Sequence, residues 1–274
     1  MTNQMFPISM IIGTQKAGTT ALFEYLKMHP EIIGAKNKEI HFFNSQYRYD
    51  LGLSFYKSQF AEGKLSSLRL DASPSYLAHL DAPKRIFDFC PDVKMIVLLR
   101  DPVSRAYSAW QMYIKRYQQN RDWFFSEWLN FVGEPASNFF RRKNEEIDDF
   151  YLYVKSEIEF MKNSLPSKIE APVLNHGYYE IYLKRYFKYF RKEQILIIEN
   201  SELRLNQINI LRSIENFLGI GSVNWGAKDL SPIFEGGYSD AMPKAAIKLL
   251  AGYFAPYNKR LFEMLGRSYM WQKS

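Results

Sequence analysis

A single cysteine, Cys90, among 274 residues leaves no intramolecular disulfide to form, and a chain of this length can bury a core without one. Followed by Pro91 at the end of a helical pattern, that thiol reads as a small core residue and not as a nucleophile. No stretch approaches the roughly 20 apolar residues that cross a bilayer. The opening "MTNQMFPISM" has no basic segment leading into an apolar one, so it does not read as a secretory signal. A soluble, cytoplasmic protein without a transmembrane segment is therefore expected. The four histidines, at 29, 41, 79 and 176, and the lone cysteine show no ligand spacing, so no metal is expected. Internal repeats, low-complexity tracts and long Pro/Gly/Ser linkers are also absent, which excludes solenoids and disordered tails.

What is present is a core and a charge. Hydrophobic residues make up 47% and aromatics 16% of the chain, enough for a packed interior. A net charge of +7 suggests an anionic ligand or simply a solvated basic surface. Lysines and arginines are spread along the chain and not clustered, so nucleic acid is not an expected partner. Short apolar runs at 8–13, 68–72, 94–99 and 194–199 read as buried strands. Helical patterns lie between them at 19–29, 79–90, 103–119, 145–163, 177–191, 207–218 and 243–265. This alternation predicts one α/β domain over 1–274, with a central parallel sheet flanked by helices. A helical insertion at about 111–175 either covers a substrate cleft or only packs.

The stretch "IIGTQKAGTTALFEYL", Ile11 to Leu26, outlines a phosphate-binding loop. A nucleoside triphosphate loop reads G-x-x-x-x-G-K-[ST]. Here Gly13 and Gly18 keep the spacing, Thr19 occupies the lysine's place, and Lys16 sits inside the loop. Free N–H groups and the dipole at the start of a helix attract an anion. Thr19 and Thr20 add hydroxyls, and Lys16 adds a mobile point charge. A β,γ-diphosphate with magnesium suits this loop poorly. An ordinary strand–turn–helix connection is the plain alternative.

A second segment, "LLRDPVSRAYSAW", sets Arg100 at a strand end and Ser108 two turns into the next helix, where both could meet one phosphate. Its plain alternative is a capped helix with Asp101 paired to Arg105.

Together the two segments resemble the sulfotransferase family that uses 3′-phosphoadenosine 5′-phosphosulfate (PAPS). The R-x-P-x-x-x-x-x-S spacing matches without adjustment. The resemblance spans roughly 8–110 and 177–271, and it implies a sulfotransferase fold related to P-loop nucleotide kinases. It implies that Gln15, Lys16, Ala17, Gly18, Thr19 and Thr20 hold the 5′-phosphosulfate, and that Arg100 and Ser108 hold the 3′-phosphate. "KNKEIHFFN" is similar to the K-E-x-H-F-F stretch of the heparan sulfate N- and 3-O-sulfotransferase branch. Glu39 is then the base that takes the acceptor's proton, with Lys16 as its catalytic companion and His41 as the rival base. "DASPSYL" resembles the family's S-P-x-Y segment beside the acceptor cleft, although Ala72 stands where the glycosaminoglycan enzymes often carry lysine.

Tyr178, Tyr182, Tyr186 and Phe190 form a stripe read first as a packed helix face. By the resemblance, Tyr178 also borders the nucleotide. Gly236 and Gly237 match, less closely, a loop that closes over it. The implied reaction is in-line sulfuryl transfer from PAPS to a hydroxyl or amine of a small-molecule or carbohydrate acceptor, leaving adenosine 3′,5′-bisphosphate. Two other readings stay open: a small-molecule kinase using ATP, and a non-enzymatic polyanion-binding protein.

Overall fold

In the computed structural model, which describes residues 6–64, 66–120, 144–162, 173–231 and 241–271, five parallel strands form one sheet in the order β2–β3–β1–β4–β5. They are β1 (Ile8–Gly13), β2 (Ile32–Gly34), β3 (Leu68–Ala72), β4 (Lys94–Leu99) and β5 (Ile195–Glu199). Every residue of β1 is buried, which is why that strand reads as an apolar run and not as an alternation. Ile11 pairs with Ala72 of β3 and Ile96 of β4, so β1 lies at the middle of the sheet.

Helices fill the connections: α1 (Thr19–Lys27), α2 (Gln46–Asp50), α3 (Gly52–Ser58), α4 (Ala82–Phe89), α5 (Pro102–Gln119), α6 (Asn144–Asp148), α7 (Phe150–Lys162), α8 (Tyr179–Tyr186), α9 (Asn200–Leu205), α10 (Gln207–Leu218) and α11 (Lys244–Leu265). One face of the sheet, with Ile11, Leu70, Ile96, Leu98 and Ile198, packs against Leu22, Phe23 and Leu26 of α1 and Leu211 and Ile214 of α10. Each such side chain contributes about 1.5–3 kcal/mol by leaving water.

The chain divides into two compact units. The first is Met1–Asn44, Arg48–Leu99 and Arg185–Glu235, and it contains the whole sheet. The second is Ser45–Tyr47, Arg100–Lys184 and Gly236–Ser274, built on α5, α6, α7 and α11. Of the 111–175 insertion, residues 111–120, 144–162 and 173–175 are described. Gly236 and Gly237 lie outside the described residues.

Because the strands are parallel, the carboxyl ends of β1 and the adjacent β3 open on the same edge of the sheet. Such an edge is where ligands of open α/β sheets gather. The loop that carries Lys16 leaves β1 at that edge, and the turn that carries Glu39 bonds the last residue of β3 there.

Candidate active site

The loop leaving β1 has little freedom at its start. A Cβ on Gly13 would lie 2.7 Å from Leu77 Cβ, closer than side-chain carbons approach. The Leu77 amide in turn donates to the Ile12 carbonyl at 2.8 Å. Thr14 N–H donates to Leu98 O of β4 (2.9 Å), and Ala17 N–H returns to Thr14 O (3.0 Å), folding the loop onto itself. Asn200 Nδ2 donates to Ala17 O at 2.9 Å from the far side. Gly18 takes φ +93°, and no side-chain cap of α1 is found among the described residues. The first amides of that helix lack intrahelical partners, so the loop ends in uncapped donors with Lys16 just before them. The Thr14 hydroxyl is buried with no hydrogen-bond partner among the described residues.

The second element of the site is the turn after β2. Ala35 N–H donates to Leu70 O (3.0 Å) and Glu39 N–H to Ala72 O (3.1 Å), so the segment runs along β3 to its end. Glu39 and His41 then both adopt left-handed backbone, φ 68° and 54°. Lys16 does so too, at φ 68°, and these three are the non-glycine residues with positive φ among the described residues. Each costs on the order of 1–3 kcal/mol, and such strain concentrates where function needs it.

The side chains converge. His41 Nε2 donates to Glu39 Oε2 at 3.1 Å, while His41 Nδ1 faces Asn44 Oδ1 at 3.2 Å. Lys38 Nζ lies 2.6 Å from Glu39 Oε1. The imidazole is buried, and the Glu39 side chain keeps 37% of its surface open to solvent. Burial would raise the Glu39 carboxyl, but the His41 hydrogen bond and the Lys38 charge outweigh it and hold the pKa down at about 2.

In the second unit, Asp101 caps α5. Its carboxylate accepts from the Val103 and Ser104 amides (3.3 and 3.1 Å) and from Ser104 Oγ (2.6 Å). The cap is the one expected, but Arg105 does not complete it. That guanidinium is fully buried and donates to the Val173 carbonyl. Glu157 Oε1 accepts the Leu174 N–H at 2.9 Å, so the two side chains grip opposite sides of one peptide. Ser108 is buried on the same helix, and the Arg100 carbonyl accepts from Tyr179 OH at 2.8 Å. Tyr178 lies in an aromatic cluster, its hydroxyl bonded to that of Tyr253 and its ring 4.6 Å from that of Tyr257. A cavity of about 400 Å³ in this unit is lined by Val103, Ala255, Asn258, Phe262 and Trp271, and none of the expected site residues lines it.

Sequence reasoning missed the hydrogen-bonded group next to the glutamate turn: Ser73 and Tyr76, which receive its amides, Asp71, which both of them contact, and Tyr56, a further donor to Asp71. Its one visible signal was the S-P-x-Y stretch that contains Ser73 and Tyr76. Thr14 and Asn200 also went unmarked in the loop.

The family described as the sulfotransferase domain matches residues 7–242. Heparan sulfate glucosamine 3-O-sulfotransferase 5 of Mus musculus is 24% identical over 287 residues, covering 98% of this chain and 75% of that protein. The bifunctional heparan sulfate N-deacetylase/N-sulfotransferase 4 of Mus musculus is 29% identical over 221 residues, covering 78% of this chain and 22% of that protein. Among solved structures, a sulfotransferase from Alicyclobacillus acidocaldarius shares the fold, with TM-score 0.67, 22% identity, and coverage of 96% of this chain and 97% of that one. The chain belongs to the sulfotransferase domain family and is an enzyme of that class.

Proposed function

We propose that this sulfotransferase takes the sulfuryl group of PAPS and transfers it, in line, to a hydroxyl or amine of a carbohydrate or other small acceptor. Family membership supports the reaction class, and the heparan sulfate enzymes among its relatives favour a carbohydrate. The observation that carries the residue assignment is the backbone strain. Among the described residues, left-handed backbone at non-glycine positions falls on Lys16, Glu39 and His41, all three marked beforehand by their motifs.

The loop fits the donor on its own terms. Among the described residues it offers uncapped amides at α1, a lysine inside the turn and a buried hydroxyl with no hydrogen-bond partner, and a phosphosulfate carries its charge on oxygens that such donors bind. Lys16 and the amides of residues 17–20 meet charge growing on the departing phosphate. Stabilisation of that kind is commonly the largest single contribution to catalysis. Gln15 flanks the loop, and Thr19 and Thr20 add hydroxyl donors. Arg100 and Ser108 are assigned to the 3′-phosphate, Tyr178 and the Gly236–Gly237 pair to the nucleotide's edge, and no step is assigned to a metal ion.

Glu39 removes the acceptor proton as the acceptor oxygen or nitrogen attacks sulfur. Both ring nitrogens of His41 already face partners, Glu39 and Asn44, so His41 orients the carboxylate and does not compete with it. At a pKa of about 2 the carboxylate is ionised throughout the physiological range yet weakly basic. An acceptor hydroxyl that displaces Lys38 from Oε1 removes one of the charges that depress it, so substrate arrival itself strengthens the base.

Transfer from sulfur-labelled PAPS to a panel of saccharides, phenols and alcohols tests the reading. Labelled product is expected with the wild type and is lost on Lys16→Ala. Full activity in that variant would refute the loop assignment. Adenosine 3′,5′-bisphosphate should raise the melting temperature where ATP with magnesium does not, because only a specific ligand stabilises the native state by mass action.

A further inference from the structure

Next to the Glu39 turn lies a second carboxylate. Asp71, in β3, is fully buried. Its Oδ1 accepts from Ser73 Oγ at 2.8 Å, and its Oδ2 accepts from Tyr76 OH at 2.8 Å and Tyr56 OH at 3.1 Å. Two of these three donors also hold the turn. Ser73 Oγ accepts the His41 N–H at 3.1 Å, and Tyr76 OH accepts the Phe42 N–H at 3.0 Å.

The direction of these bonds matters. An ionised carboxylate only accepts, and a backbone N–H only donates. A hydroxyl between them must therefore point its proton at Asp71 and its lone pair at the amide. Two chains result, each running amide to hydroxyl to carboxylate, and linked bonds of this kind reinforce one another. Burial pushes the Asp71 carboxyl up, against the pull of the three hydroxyls. The amides so fixed belong to His41, whose φ is 54°, and to its neighbour.

We propose that Asp71 is a positioning residue for the transfer reaction: acting through Ser73 and Tyr76, it fixes the backbone of the 39–42 turn and thereby the direction in which Glu39 presents its carboxylate. The inference rests on the reading of Glu39 as the base. It assigns to Asp71 no contact with donor or acceptor.

Tyr56 and Tyr76 make the test clean. Both are buried and both donate to the same oxygen, but only Tyr76 also receives an amide of the turn. Replacing either by phenylalanine keeps the ring and removes one hydroxyl. Tyr76→Phe is expected to lower kcat by about 10- to 100-fold with the KM for PAPS unchanged, since a misplacement near 1 Å costs about that much. Tyr56→Phe is expected to leave kcat within about twofold, in keeping with surviving Tyr76 and Ser73 chains. Hydrogen exchange gives a readout independent of turnover: the Phe42 amide should lose protection in Tyr76→Phe and keep it in Tyr56→Phe, while amides of β4 stay protected in both. Asp71→Asn should reproduce the Tyr76→Phe pattern. Equal kcat losses in the two tyrosine variants, or an unchanged Phe42 amide in Tyr76→Phe, overturn the proposal. A wild type that transfers nothing from PAPS would instead refute the functional reading, and the exchange comparison would still decide whether Asp71 holds the turn.

Discussion

The lysine loop and the glutamate turn stand side by side at one edge of the sheet, and each holds non-glycine residues in left-handed backbone. They are built in opposite ways. The loop is held largely by main chain: Gly13 leaves no room for a methyl group, Gly18 turns the chain, and amides of Thr14 and Ala17 close it, with the Asn200 side chain on the Ala17 carbonyl. The turn is held largely by side chains: Asp71 at the end of β3 and Ser73 and Tyr76 just after it lie against the turn, and Lys38 and His41 flank the carboxylate. A site that only receives negative charge can be formed from backbone donors, which hold one geometry and do not titrate. A site that must accept a proton needs a tunable group, and tuning takes neighbours.

Substitutions can break that contrast in order of size. Glu39→Gln should lower kcat by about 10²–10⁴-fold while adenosine 3′,5′-bisphosphate still raises the melting temperature as in the wild type. Loss of both together would mean that the turn also builds the nucleotide site. Lys16→Ala and Lys16→Gly should both lose transfer, by about 10²-fold or more, and differ in stability. Glycine accepts φ 68° without strain, so its variant should be about 1 kcal/mol more stable than the alanine one in denaturant melts. Gly13→Ala should destabilise the fold by about 1–3 kcal/mol through overpacking against Leu77. The smallest effect concerns pH. The Glu39 pKa is depressed in the folded state, from 4.5 to about 2, so its stabilising contribution is present above pH 4.5 and fades as pH falls toward 2. The stability gap between wild type and Glu39→Gln should therefore narrow over that interval, and a constant gap would show that the carboxylate is not held by Lys38 and His41. Chelation with EDTA should leave turnover unchanged.

The same contrast explains what the sequence disclosed. Strands 8–13, 68–72 and 94–99 were read to the residue, because a strand buried on both faces has a continuous apolar signature. Strand β2, three residues long and only partly buried, has none. The pattern at 145–163 was read as a single helix, whereas Asp149 interrupts it and caps the second piece, accepting the Leu152 amide at 2.8 Å. The helix expected at 177–191 stops at Tyr186, yet its stripe is buried as anticipated, with Tyr182, Tyr186 and Phe190 each under 4% exposed. In the site, Lys16, Glu39 and His41 were legible because main-chain motifs and short spacing mark them. Asp71 and Tyr56 were not: Asp71 gains its meaning through Ser73 and Tyr76, which bond amides 32 and 34 positions away, and Tyr56 reaches it from a separate helix, and spacing along the chain does not encode that.

The Thr14 hydroxyl, buried with no hydrogen-bond partner among the described residues, has a thermodynamic corollary. The folded protein already bears the dehydration of that oxygen, a loss of about 1–3 kcal/mol, so an incoming anionic oxygen that reaches it recovers the bond without displacing water from it. A valine there should make the empty enzyme hardier and the loaded one weaker, a crossing of two stabilities that marks a group retained for its guest and not for its host.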